Sequence, residues 1–242
     1  MDLALNAIEL IDRNLYERTC DVRWWATDSA VVDCLQKPDA DIARHASQRL
    51  GVILSAYTVY LDLWICDAHG RVVANGRPDR YNAVGSDVSR EPWFREAMQT
   101  TTGDDYVVAD IAANSQLGNQ PVATYAAAIR QDAAANGRPI GVLGIHFDWG
   151  PQAEAIVQGV RLSDAERGNT RVMLVDANNR VIADAGHGSG RDGFGGATFD
   201  LRTNAQESGS YRAPDGTTVG FHRTPGYETY AGLGWYGVLV RS

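Results

Sequence analysis

The chain has 242 residues, 44% hydrophobic and 21% charged, with a formal net charge of −8, which suits one large core or two smaller ones and excludes a mainly disordered or fibrous chain. The acidic excess, with no basic patch, argues against nucleic acid as the main partner, because phosphate binding draws on a positive surface. Cys20, Cys34 and Cys66 are odd in number and have no CxxC or metal-ligand spacing, so they read as core or surface residues, and no disulfide framework, metal site or cofactor is expected.

In chain order, residues 3–35 lack proline and glycine, and Leu3, Ile8, Ile11, Leu15, Val22, Trp25, Val31 and Leu35 recur at mostly helical spacing. The expectation is one helix of about 50 Å at 1.5 Å per residue. Pro38 and the run Asp39–Asp41 break it, and a second helix over 42–50 is closed by Gly51, so residues 1–51 form a helical lead. From residue 52 the period changes. Val59, Leu61, Leu63 and Ile65 alternate with Tyr60, Asp62 and Trp64, then Asp67-Ala68-His69-Gly70 turns the chain into a return strand at Arg71–Ala74. Ser89 caps a short helix through Trp93, Phe94, Ala97 and Met98 that ends by Gly103, and residues 104–113, 121–131 and 138–148 supply three more strands. Residues 52–149 thus read as an antiparallel sheet with one inserted helix.

A second pattern repeats the first. The string DAxxRV followed by Val or Ile and then Ala occurs at 67–74 and again at 176–183, and Gly237-Val238-Leu239 echoes Gly141-Val142-Leu143. Residues 150–170 read as a connecting helix and 171–242 as a second, smaller sheet module, closed by strands over 216–224 and 234–241. The glycine-rich run 186–196 lacks the spacing of a phosphate loop and reads as a flexible loop.

Aromatic, acidic and turn residues concentrate between Arg80 and Ile111. A helix carrying Trp93 and Phe94 beside a strand carrying Tyr106 and Asp110 would form an aromatic pocket with acidic groups, suited to nitrogen-bearing ligands. The bland alternative for Trp93 and Phe94 is the hydrophobic core. His146 and Asp148 lie two apart on a strand and face one side, as a hydrolase pair would. No GxSxG, HExxH, P-loop or Rossmann string supports catalysis, so no enzyme is expected.

Asn14-Leu15-Tyr16-Glu17-Arg18, Asp87-Val88-Ser89 with Glu91-Pro92-Trp93-Phe94, Gly141-Val142-Leu143-Gly144-Ile145 before Phe147-Asp148-Trp149, and Gly232-Leu233-Gly234-Trp235-Tyr236-Gly237 occur in this order. With the duplication, they resemble the double Cache domains outside the membrane in bacterial chemoreceptors, sensor histidine kinases and diguanylate cyclases, most of all methyl-accepting chemotaxis receptors. The resemblance implies an α+β fold, with a long N-terminal helix alongside two stacked PAS-like antiparallel-sheet modules, and a ligand in the membrane-distal module, residues 52–149. It further implies flanking transmembrane helices, a periplasmic location in an inner-membrane receptor, and a homodimer as the working state. The truncated look of both ends of the chain fits an excised domain.

Members that bind α-amino acids hold the carboxylate with an arginine two residues before the Trp and the ammonium with aspartates on later strands. Here Glu91 takes the arginine position, with Arg90 one residue off, and His146 takes the second aspartate position, while Asp110 sits near the first. An amine or purine-like ligand is therefore expected, stacked on Trp93, Phe94, Tyr106 or Tyr125, with Glu91, Asp110 and Asp148 accepting N–H bonds. The alternatives are a histidine kinase or diguanylate cyclase sensor for an amino or organic acid, and a module that binds a partner protein.

Overall fold

The computed structural model describes residues 2–37, 39–185 and 197–242. Pro38, the glycine-rich run 186–196 and its His187 lie outside the described residues.

The first helix, α1, covers Asp2–Trp25, and a separate α2 covers Ser29–Gln36, so the single helix expected over 3–35 is two. Asp28 makes the break. Its backbone is extended, and its Oδ1 accepts the Ala30 N–H at 3.0 Å, a side-chain cap that starts a new helix. The 24 residues of α1 span about 36 Å at 1.5 Å each. The next helix, α3, runs over Ala40–Ala56, through Gly51 rather than ending there. A Cβ at Gly51 would lie 3.2 Å from the Gly76 carbonyl oxygen, so close packing, not helix termination, uses the glycine.

Then follow β1 (Tyr60–Asp67), β2 (Val72–Asn75), α4 (Pro92–Met98), β3 (Val107–Asn114), β4 (Gln120–Arg130) and β5 (Pro139–Asp148). After them come α5 (Trp149–Gly159), α6 (Asp164–Arg167), β6 (Thr170–Val175), β7 (Val181–Asp184), β8 (Ser208–Arg212), β9 (Thr218–Arg223) and β10 (Tyr236–Arg241). Among the described residues no helix is long and apolar enough to cross a membrane.

The chain forms two compact units, residues 18–148 and residues 1–17 with 149–242. Each holds an antiparallel sheet of five strands, ordered β2-β1-β5-β4-β3 in one and β7-β6-β10-β9-β8 in the other. Renumbered from its own first strand, each sheet reads 2-1-5-4-3, so the duplication seen in the sequence is a duplication of topology. The second sheet is not smaller in strand number, since the edge strand β8 completes it, although most of its strands are shorter. The repeated turn is also the same. Asp67 Oδ1 accepts the N–H groups of His69 and Arg71, and Asp176 Oδ1 accepts those of Asn178 and Arg180.

In the first unit both faces of the sheet are covered, so the central strands β1, β4 and β5 are buried almost throughout instead of alternating. Trp64, Cys66, Val122, Ala126 and Val142 pack with Trp93, Phe94 and Ala97 of α4 in one core cluster. On the opposite face Tyr60 donates its hydroxyl to Asp21 Oδ2 at 2.5 Å, with the Arg18 guanidinium 5.4 Å from the Tyr60 ring and 5.7 Å from Phe147. In the second unit Trp149 Nε1 donates to the Ile182 carbonyl at 2.7 Å and its ring meets Trp235 edge-on at 5.1 Å. Asp12 on α1 accepts the Thr224 hydroxyl and the Gly226 N–H there.

Asp62 joins β1 to the segment after β2. Fully buried, its carboxylate accepts N–H bonds from Leu63, Gly76 and Arg77 of the backbone and from the side chains of Trp64 and Asn75. Burial raises its pKa, against the pull of those donors. Removing the carboxylate strands several buried donors together. Asp62→Ala is expected to lower the unfolding free energy by roughly 3–5 kcal/mol, the range for breaking a buried charged constellation, with Asp62→Asn less harmful; urea denaturation checks this, and a loss below about 1 kcal/mol contradicts it.

Candidate functional site

Between α4 and the β3 edge of the first sheet lies a cavity of about 450 Å³, within the range of small-molecule sites. One wall is the turn and helix start: Ser86, Asp87, Val88, Glu91, Pro92 and Trp93. Opposite are Ala109, Asp110, Ala112 and Ala113 of β3, with Asn114, Ser115 and Gln116 beyond them, and Trp64, Val122 and Thr124 form the floor. Three carboxylates, Asp87, Glu91 and Asp110, stand among these lining residues, with no Lys, Arg or His.

Local chain geometry places each wall. α4 starts at Pro92, not at Ser89 as expected: Glu91 is the extended residue before it, and proline fills the first helical position without wasting an N–H. Ser89 belongs to the preceding turn, its N–H donating to Asp87 Oδ1 at 2.8 Å. The Ser89 hydroxyl, then that N–H bond and the nearby Arg71 and Arg90, hold the exposed Asp87 carboxyl below the usual range. The helix ends at Met98, ahead of Gly103, whose N–H bonds the Ala135 carbonyl at 2.7 Å. In β3 the register shifts between Ala109 and Ala112. This bulge turns Asp110 into the cavity, and Asp110 Oδ1 accepts the Ile111 N–H at 2.7 Å.

The residues singled out in the sequence do not all share one place. Glu91, Trp93 and Asp110 meet in the cavity, and Phe94 lies behind Trp93 in the core, 6.2 Å from it edge-on. Tyr106 and Tyr125 are not in the lining. Tyr106 precedes β3 and packs under Arg23 of α1, 5.3 Å from its ring centroid, and burial raises its hydroxyl pKa. Tyr125 neighbours Thr124 on β4, so pleating sends it to the opposite face, fully buried. Asp148 ends β5 near Arg80 and Arg77, half-buried, with burial raising its pKa against those two cations.

His146 shares the cavity's face of the sheet but lies beneath its floor. Its ring centroid is 4.0 Å from Trp64 and 6.1 Å from Trp93, and its Nδ1 is 3.1 Å from Thr124 Oγ1. Nε2 is buried without a hydrogen-bond partner among the described residues, and burial lowers the imidazole pKa to about 3. This is not a hydrolase pair, since His146 has no carboxylate orienting its second nitrogen and is too weak a base near neutral pH.

Sequence reasoning missed Trp64, Thr124 and the Asn114–Gln116 turn. Thr124 had a usable signal, for strands β4 and β5 pair it directly with His146. Trp64 had another: Asp62, two residues earlier on the same strand, holds its Nε1 at 3.0 Å and so fixes the floor.

The sequence profile of the Cache domain family, dCache_1, matches residues 21–241. No curated protein sequence matches the chain. Among solved structures, the sensor domain of the V. cholerae histidine kinase DctB superposes with a TM-score of 0.68 at 14% identity, covering 96% of this chain and 91% of that one. The ligand-binding domain of the Pseudomonas aeruginosa PAO1 amino acid chemoreceptor PctC, in complex with GABA, gives 0.67 at 19% identity, covering 98% and 95%. That of the Pseudomonas fluorescens chemoreceptor CtaA, in complex with L-serine, gives 0.62 at 15%, covering 98% and 92%.

Because His146 binds a proton in the unfolded chain near pH 6.5 but in the folded one only near pH 3, its contribution is complete above pH 6.5 and lost as pH falls. Between pH 7 and 5 the folded state is expected to lose about 2 kcal/mol more than a His146→Gln variant does; equal losses in parallel denaturation series would contradict the buried neutral imidazole. The profile match over most of the sequence, the two-sheet topology and these structural likenesses agree: the chain belongs to the Cache domain family, in its double form.

Proposed function

We propose that this chain is the extracytoplasmic ligand-binding domain of a membrane-anchored chemoreceptor and that its first unit binds a small nitrogen-rich metabolite, an amine or a purine-like base. The observation that carries the ligand class is the charge of the cavity: Asp87, Glu91 and Asp110 in the lining, and no cationic side chain. A ligand carboxylate there would stand beside like charges with no cation in the lining, Arg71 and Arg90 lying near Asp87 but outside it, whereas ammonium or ring N–H groups would find acceptors. Trp93 and Trp64 offer ring surface for stacking or for facing a cation. GABA and L-serine, the ligands of the relatives above, each carry a carboxylate as well as an amino group, and it is the acidic lining of this cavity that favours the amino group.

Signalling on this reading is a population shift. A ligand that bridges α4 and β3 favours the closed arrangement of those two walls, by no more than its difference in affinity for the closed and open forms. In the whole receptor, read as a homodimer with flanking transmembrane helices, that bias would pass along α1.

A thermal-shift panel of primary amines, purines, amino acids and organic acids tests the ligand class, because a ligand of the native state raises the melting temperature by mass action. Stabilisation by amines or purines is expected, and stabilisation by organic acids alone contradicts the reading. For a hit, Glu91→Gln and Asp110→Asn should each weaken binding about ten- to a hundredfold, as expected from a charge-assisted bond of about 1.5–3 kcal/mol. Unchanged affinity in both variants would remove the site assignment.

A further inference from the structure

Thr124 and His146 face each other across β4 and β5, one in the cavity lining and the other fully buried behind it. The 3.1 Å contact between Thr124 Oγ1 and His146 Nδ1 is the hydroxyl's one hydrogen bond among the described residues. A neutral imidazole carries one N–H and one lone pair, so the location of its proton decides whether the hydroxyl receives or donates in that bond. If His146 donates, Thr124 keeps its own hydrogen for the cavity; if His146 accepts, Thr124 offers only lone pairs.

The surroundings of Nε2 decide between these. Among the described residues it has no hydrogen-bond partner, and it borders the space over Gly144, 3.8 Å from where a Cβ would stand, with Cη2 and Cζ3 of Trp93 at 3.3 and 3.2 Å from the same point. A buried N–H without an acceptor is a rarer defect in folded proteins than a buried lone pair without a donor, so the unpartnered Nε2 is the nitrogen without the hydrogen. The proton therefore belongs on Nδ1. Burial keeps the imidazole neutral, so its Nε2 does not acquire a second proton near neutral pH.

We infer that Thr124 presents a hydrogen-bond donor to the cavity, oriented by His146, and that the ligand meets it with a neutral acceptor such as an amide carbonyl or an unprotonated ring nitrogen. This rests on the reading of the cavity as a ligand site and narrows it. The N–H groups of the ligand face Glu91 and Asp110, and its acceptor faces the β4 floor. A second ammonium at that end would leave the Thr124 hydrogen without an acceptor and could use only the hydroxyl's remaining lone pair, and a carboxylate would bring a further negative charge to a lining that already holds three carboxylates. His146 acts as a positioning residue, and Thr124 as the specificity-determining one.

Two measurements on the 242-residue chain test this. Long-range ¹H–¹⁵N correlation spectra of histidine-labelled protein without ligand should show His146 as the Nδ1–H tautomer; the Nε2–H tautomer overturns the donor assignment whatever the cavity binds. Calorimetric titration then compares three probes of one length: 4-aminobutanamide, 1,4-diaminobutane and GABA. The amide should bind most tightly, Thr124→Val should weaken it about tenfold and leave the diamine within about twofold, and Thr124→Ser should restore it, as loss of one neutral hydrogen bond predicts. A tighter diamine, or equal effects of Thr124→Val on amide and diamine, overturns the inference. Tightest binding of GABA, or no binding of any probe by a chain with the Nδ1–H tautomer, overturns instead the cavity reading and the ligand claim that depends on it.

Discussion

The buried carboxylate of Asp62 is the constraint on which the arrangement of the first unit depends. Leaving a negative charge in a covered sheet is costly unless N–H groups converge on it, and here donors arrive from β1 itself, from the end of β2 and from the Trp64 indole. That convergence fixes the chain where it leaves β2 and fixes the plane of Trp64. Trp64 in turn packs against His146 and floors the cavity, so a polar contact on one strand sets the shape of a site two strands away. The sheet order makes this economical, because β1 and β4 both flank β5, and His146 on β5 touches residues of both.

The cavity walls follow from two departures from regular structure. Proline after the extended Glu91 starts α4 abruptly and leaves Glu91 at the rim, and the bulge in β3 rotates Asp110 inward. Bulges commonly re-aim a side chain beside a site. Together they place carboxylates on facing walls above an aromatic and threonine floor, a distribution of charge that fits N–H groups on the sides of a ligand and an acceptor at its base.

Much of the fold was legible in the sequence because it rests on local chemistry repeated in a fixed order. The Asp-turn after β1 and after β6, with the same N–H acceptance by Asp67 and Asp176, carries the duplication. The helix break at Asp28 was hidden, since an apolar period continues through it and only a side-chain cap interrupts the backbone. β8 was hidden for the opposite reason: its Ser-Gly-Ser-Tyr-Arg sequence is polar and sits at a sheet edge, where little of the strand is buried. The site was legible in part. Glu91, Trp93 and Asp110 stand in the cavity as their residue types implied, whereas Tyr106 and Tyr125 fall on the other face. Counting by two along a strand cannot foresee a bulge or say which face a helix will cover, and those two facts decide the tyrosines.

On the proposed reading this cavity takes nitrogen donors and rejects carboxylates, unlike a site built around an arginine clamp. Calorimetric titration of L-serinamide against L-serine at about pH 6 tests this, since both then carry an ammonium and differ in the group that a cation-free, acidic lining should reject. The account predicts that the amide binds at least about tenfold more tightly, the equivalent of about 1.4 kcal/mol. Tighter binding of L-serine would contradict it and place a cationic partner for the carboxylate within the bound site.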